Sequence, residues 1–308
     1  MSDKPETDIP SLDPNIYDAI LDSEILSFMK SLTGIQDDDE LKAHVLNIQK
    51  KAYAVYPYPC IGFLHFMNRK ISSHESYQQV LKLERDREGA LLLEIGCCLG
   101  MEMRRAAADG FPAKQIIASD LHSEFWEFGH ALFRTTPQSF PATFVAGDAL
   151  DPDFLSPLPG NFESRASLDL STLMTLNQLK GKVSAIYARS LFHLFNEDQQ
   201  RQLAHSLGSL LSTQPGSVIF GSHMGNVEKG IIKHEPIAGQ DCTFFHSPES
   251  WKELWCETSP GDYQSNSQGK LTDPVFRFGE VNVEASFQFV RTASGMEGFR
   301  MDWSITRL

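Results

Sequence analysis

The stretch Leu91-Leu92-Leu93-Glu94-Ile95-Gly96-Cys97-Cys98-Leu99-Gly100 decides how this chain folds. An apolar run from Ala90 to Ile95 breaks at a glycine turn, the pattern of a strand buried on both faces of a parallel sheet. Met101–Asp109 then reads as a helix ended by Gly110. The segment is therefore strand, tight turn and helix. Further along, the alternation repeats. Gln115–Ser119, Ala142–Ala146, Val183–Ala188 and Gly216–Gly221 read as strands, with helices over Ser123–Phe133 and Glu197–Leu211 and a Pro-, Ser- and Leu-rich connection over 151–182. Repeated βα units predict an α/β fold with a doubly wound, mostly parallel sheet. Val281–Val290 and Met301–Leu308 alternate like antiparallel strands around a Gly295/Gly298 turn, which brings the sheet to seven strands. The polar insert Gly261–Lys270 before them reads as an exposed loop.

Toward the N-terminus, residues 1–12 are polar and proline-containing and are expected to be disordered. Residues 13–88 form a helical cap or lid, and 89–308 the sheet domain. Ile16, Ile20, Leu21, Ile25 and Phe28 recur at helical spacing, with Asp13 as N-cap and Pro14 at the first helical position. Leu41, Val45, Leu46 and Ile48 suggest a second helix. Between the cap helices and the core lies the aromatic, turn-rich stretch from Val55 to Phe66, which includes Tyr56 and Tyr58. Two readings stand: it packs on the core, or it is a lid whose aromatics face an apolar substrate.

The 308 residues, 41% hydrophobic and 22% charged, suit one large α/β domain with such a cap. A formal net charge of −13 argues against a nucleic-acid partner, because phosphate binding draws on clustered Lys and Arg. A small molecule is the expected partner, and a homodimer is left open. Five cysteines without a paired-bridge pattern point to a reducing compartment. The acidic, polar first residues are not a signal peptide, and no apolar run is long enough for a membrane span. A cytoplasmic location is the expectation.

A nucleoside-binding α/β domain needs particular groups at successive strand ends. The first is a glycine turn where no Cβ intrudes, so that backbone N–H groups and a helix N-terminus approach the ligand. Glu94, Gly96, Cys97 and Gly100 supply it, with the two cysteines as small fillers; the spacing is not the GxGxxG of dinucleotide binders. The second is an acid after strand two to accept the ribose hydroxyls, here Asp120 followed by Leu121. The third is a polar group after strand three to meet the adenine amino group, here Asp148 followed by Ala149. Each acid alone reads as readily as a cap or loop residue; the ordered set reads as a cofactor site.

These residues resemble class I S-adenosylmethionine-dependent methyltransferases. Ser119–Gly129 with Leu132-Phe133, Ser190–Phe195 with Asp198-Gln199-Gln200, Gly225-Asn226-Val227, His246–Trp251 and Tyr56–Ile61 resemble a fungal subgroup of that family acting in natural-product pathways. Its members include enzymes that esterify carboxyl groups of meroterpenoid intermediates. The resemblance implies the Rossmann-like fold and S-adenosylmethionine as cofactor. Gly96 and its turn would hold the methionine part, Asp120 and Leu121 the ribose, Asp148 and Ala149 the adenine. Arg189 would lie beside the cofactor on the substrate side. Ser222-His223 depart from the longer polar residue usual in the subgroup before Met224-Gly225-Asn226.

Methyl transfer from an activated sulfonium needs alignment more than proton chemistry. A carboxylate acceptor needs no base, whereas a hydroxyl acceptor is helped by one. His193 and His223, after strands four and five, are the candidates for that base, each with the competing reading of a packed histidine. His246 is a loop histidine grouped with Tyr56 and Tyr58 as a substrate contact. Arg69 would pair a carboxylate substrate if it faces the pocket, and a solvated Arg69 is the preferred competing reading. Trp126, Trp251 and Trp255 fall on helical patterns and read as core. No acids or histidines fall at metal-ligand spacing, so no metal is expected. The function implied is O-methylation of a carboxyl or hydroxyl group of a small natural product. The alternatives are a cyclase or regulatory binding protein that keeps the fold without methyl transfer.

Overall fold

The computed structural model describes residues 12–67, 71–157, 168–237, 240–259, 273–291 and 297–308. The expectations placed on residues 1–11, Arg69, Gly261–Lys270, Gly295 and part of the 151–182 connection lie outside the described residues.

Strand β1 (Leu92–Ile95) is buried along its whole length and pairs in parallel with β2 (Ile116–Asp120) and β4 (Ala185–Arg189). β3 (Thr143–Ala146) pairs in parallel with β2, and β5 (Val218–Gly225) with β4. β9 (Glu297–Arg307) runs antiparallel to β5, and β8 (Val281–Arg291) antiparallel to β9. The seven-stranded order is β3-β2-β1-β4-β5-β9-β8. The chain winds outward from β1 to β3, then returns to the other side of β1 as β4. That reversal opens a crevice at the carboxyl ends of β1 and β4, where open α/β sheets bind ligands. Helices α6 (Met101–Ala108), α7 (Ser123–Leu132) and α8 (Glu197–Leu210) provide the crossovers. Asn196 and Gln199 cap α8 reciprocally, which fixes its start.

One pair of strands carries no signal in the apolar pattern. β6 (Gly230–Ile237) and β7 (Gln240–Phe245) form a separate two-stranded ribbon between β5 and α9 (Pro248–Trp255). The run Ile231-Ile232-Lys233-His234-Glu235-Pro236-Ile237 shows no alternation of apolar and polar residues, so local sequence does not announce a strand there. A proline fits within β6 because both members of a two-stranded ribbon are edge strands.

The N-terminal helices are α1 (Ile16–Ile20), α2 (Ser23–Thr33), α3 (Asp38–Val55) and α4 (Pro59–Gly62), and after them α5 (Tyr77–Asp86) packs on the sheet. The single helix expected to start at Asp13 is two. Asp13 accepts the Asn15 N–H in a turn, α1 begins only at Ile16, and Asn15 rather than Asp13 stands at its N-cap. Leu21 is extended, and α2 restarts with the Asp22 carboxylate accepting the Ile25 N–H at 2.6 Å. A carboxylate that close offers the backbone a better partner than a continued helix would. Asp37 caps α3 in the same way.

The cap does not close on itself. Met29, Leu41, Val45 and Ile48 share one buried cluster with Leu99, Phe125, Leu132 and Phe133 from the α6 and α7 region. Each such side chain contributes about 1.5–3 kcal/mol on burial, so the cap rests on the helices that frame the glycine turn.

Candidate functional site

The glycine turn is built by sterics and held by hydrogen bonds. Gly96 (φ +73°), Cys98 (φ +49°) and Gly100 (φ +68°) all take left-handed backbone conformations. A Cβ on Gly100 would stand 2.5 Å from the Trp126 ring and 2.8 Å from Arg104 Nη1. Arg104, buried on α6, donates to the Leu99 and Gly100 carbonyls, each at 3.1 Å. Its guanidinium lies over the rings of Trp126, Phe133 and Phe140, 4.5–5.1 Å from their centroids. Burial pushes its pKa down to about 9, which still leaves it charged at neutral pH.

The first amides of the turn are engaged within the protein. Gly96 and Cys97 N–H both donate to the Ser119 carbonyl, at 2.8 and 3.0 Å. Cys98 N–H donates to Asp120 Oδ2 at 2.8 Å, and His122 N–H to Oδ1 at 3.2 Å. Asp120 thus ties the end of β2 to the turn after β1. Burial is the largest influence on its carboxyl and raises it above the usual range, against the lowering by those two amides. Leu121, next to it, is 54% exposed. Asp148, after β3, is exposed and accepts the Leu150 N–H; Ala149 beside it is half-buried.

Glu94 lies in β1 and is buried, and its Oε2 has no hydrogen-bond partner among the described residues. Desolvation first, and then the charge of Glu102, hold its carboxyl well above the usual range. Arg189, at the end of β4, opposes that shift and stands 4.0 Å from Glu102. Glu102 accepts the Ile71 N–H at 3.0 Å, which ties α6 to the cap. Burial pushes the Cys97 thiol up, so it is held as a neutral filler.

The three candidate histidines fall in one region with different surroundings. His193 is half-buried, and burial followed by the Arg189 charge pushes it down to about 4. His223 is 3% exposed within an aromatic box of Phe192, Trp251 and Trp303. Trp303 Nε1 donates to its Nδ1 at 2.8 Å, which puts the ring proton on Nε2. Burial lowers its pKa well below the usual histidine range. His246 is also buried, with Nδ1 on Ser250 Oγ at 2.9 Å, and burial pushes it down to about 3. Trp251 and Trp255 are buried, and Trp126 packs in parallel on Phe144 at 5.3 Å.

Tyr56 and Tyr58 reach the Asp120 side of the crevice. Their rings lie 4.2 Å apart, and Tyr56 stacks on His122 at 5.6 Å. A separate cleft of about 540 Å³, lined in part by Lys114, Gln115, Thr143 and Asp169, opens near the amino ends of β1, β2 and β3. It is at the wrong end of the sheet for the strand-end groups. Arg104, Glu102, His122 and Trp303 were not singled out from the sequence. Their roles come from partners distant along the chain, and only His122, two residues after Asp120, carried a positional signal.

A family model described as the meroterpenoid methyltransferase N-terminal domain matches residues 12–67, which span α1 to α4. The chain is 32% identical over 241 residues to the Asnovolin E/Chermesin D methyltransferase nvfJ of Aspergillus novofumigatus, covering 76% of this chain and 78% of that protein. The chain belongs to this fungal methyltransferase family. Two other members are similar. The methyltransferase ausD of Aspergillus calidoustus is 30% identical over 71% of this chain and 70% of its own length. The O-methyltransferase phiE of Fungal sp. (strain ATCC 74256) is 32% identical over 68% of this chain; the match spans 63% of phiE. Membership makes the strand-end groups of this methyltransferase the natural place to look for its cofactor.

Proposed function

We propose that this methyltransferase uses S-adenosylmethionine to O-methylate a small natural-product intermediate, with a carboxyl group as the preferred acceptor over a hydroxyl. The observation that carries the reading is the convergence of Glu94, the Gly96–Gly100 turn and Asp120 at the carboxyl ends of the adjacent strands β1 and β2. The residues fit the cofactor. The left-handed glycines set the course of the turn beside Asp120, and the buried Glu94 Oε2 is an acceptor without a partner among the described residues. Glu94 and the turn would hold the methionine part, Asp120 and Leu121 the ribose, and Asp148 and Ala149 the adenine. Bound S-adenosylmethionine supplies an already activated methyl group.

The histidines favour the carboxyl acceptor. His223 and His246 are enclosed, and all three rings are held neutral with depressed basicity. A carboxylate is ionised near neutral pH and needs no base. His193 keeps surface and would serve to position the acceptor, with Arg189 beside it. The names of phiE, an O-methyltransferase, and of nvfJ, an Asnovolin E/Chermesin D methyltransferase, support the reading.

Calorimetry with S-adenosylhomocysteine tests the cofactor half. Asp120→Ala removes the partner of two backbone amides along with the ribose acceptor, and hydrogen bonds to a charged group are worth about 1.5–3 kcal/mol each. A loss of at least about tenfold in affinity is expected; unchanged affinity would falsify the site. Transfer of a labelled methyl group to carboxyl-bearing meroterpenoid intermediates tests the chemistry. Cofactor binding without transfer to any acceptor would support the cyclase or regulatory alternative instead.

A further inference from the structure

The cap meets the sheet domain at the acid that follows β2. Tyr56, Tyr58 and His122 form a continuous aromatic group, with Tyr58 edge-on to both His122 (6.2 Å) and Phe125 (6.1 Å). His122 also donates its N–H to Asp120, so the ring on which the cap rests belongs to the residue that helps fix the acid. The strap that presents the tyrosines is stiff. Tyr56 and Tyr58 each precede a proline and take extended backbone conformations. Gln49 on α3 donates to the Ile61 and Gly62 carbonyls just beyond, at 3.1 and 2.8 Å. Leu121, between Asp120 and His122 in the chain, is an apolar side chain left 54% exposed.

We infer that Tyr56 and Tyr58 close the nucleoside side of the cofactor pocket, so that the cap governs cofactor release rather than recognising the methyl acceptor. The inference rests on the cofactor reading above and changes the role expected of the two tyrosines. The burial of Tyr58 and its nearness to Asp120, which both raise its hydroxyl, agree with a phenol lying close to the acid. An aromatic wall suits a nucleoside because stacking rewards a planar base at little entropic cost.

Stopped-flow release of S-adenosylhomocysteine from the full chain tests this. Tyr56→Ala and Tyr58→Ala are expected to speed release about tenfold, on the scale of one base–aromatic stack. Tyr58→Phe keeps the ring and should release within about twofold of the wild-type rate. Tyr56→Leu guards against misfolding, since it keeps apolar bulk while removing the ring; faster release is expected there too. Wild-type release rates in folded Tyr56→Ala and Tyr56→Leu would overturn the inference while leaving the cofactor reading intact. A wild-type protein that binds no S-adenosylhomocysteine would overturn both.

Discussion

Gly100 shows how a single residue is constrained from two directions. Its backbone lies at φ +68°, and the space a Cβ would need is taken by the Trp126 ring and Arg104. A left-handed conformation costs about 1–2 kcal/mol for a residue with a Cβ, and overpacking a filled site adds about 1–3 kcal/mol. Gly100→Ala should therefore lower stability by about 2–5 kcal/mol in urea unfolding. Gly110 has φ +108° with open space around it, so Gly110→Ala should lose only the conformational part. Equal losses in the two variants would show that the Trp126–Arg104 packing does not constrain the turn. The glycine itself was legible in the sequence. The guanidinium that clamps its carbonyl was not, because the three rings around Arg104 come from α7 and the segments after it.

At the scale of elements, hydrogen bonds that the sequence pattern cannot express decide where segments begin and dock. The apolar spacing from Ile16 to Phe28 looks like one helix, yet Asp22 ends one and starts the next. Gln49 is a similar case on α3, a polar residue 1% exposed on an otherwise apolar face. Its amide holds two carbonyls of the α4 region, and an unsatisfied buried carbonyl costs about 1–3 kcal/mol. Gln49→Leu should release amide protection around α4 in hydrogen exchange while β1, β4 and β5 stay protected. Protection lost evenly across the sheet would mean that the contact supports the whole fold, not the docking of α4.

Across the whole molecule, His193, His223 and His246 come from different strands and loops and share the direction of their pKa shifts. A histidine depressed below its unfolded value near 6.5 contributes stability that is present above that value and lost as pH falls toward its folded pKa. The unfolded chain then binds more protons, so stability rises with pH across that window. For His193 the window runs from about 6.5 down to about 4. Glu94 and Asp120 act in the opposite sense, because their carboxyl groups are raised in the fold. The comparison is therefore best made between wild type and His193→Asn. Between about pH 6.5 and 4.5 the wild type should lose up to about 1.4 kcal/mol per pH unit more than the variant. Parallel stability–pH curves for the two proteins would rule out that contribution.

The succession along the chain of the strands that build the seven-stranded sheet, the turn after β1 and the acids after β2 and β3 are properties of local sequence, whereas the β6–β7 ribbon is not. A buried parallel strand reads as an apolar run, and a tight turn reads as glycine, whatever packs around it. The sheet and the positions of Glu94, Gly96, Gly100, Asp120 and Asp148 along it were therefore already written in the order of residues. What these groups touch was not; folding alone settled it. Folding placed Asp120 on the Cys98 amide, Trp303 on His223 and the Tyr56–Tyr58 pair against His122. Such contacts join residues far apart in the chain, and no spacing rule records a partner that only the packed molecule brings near.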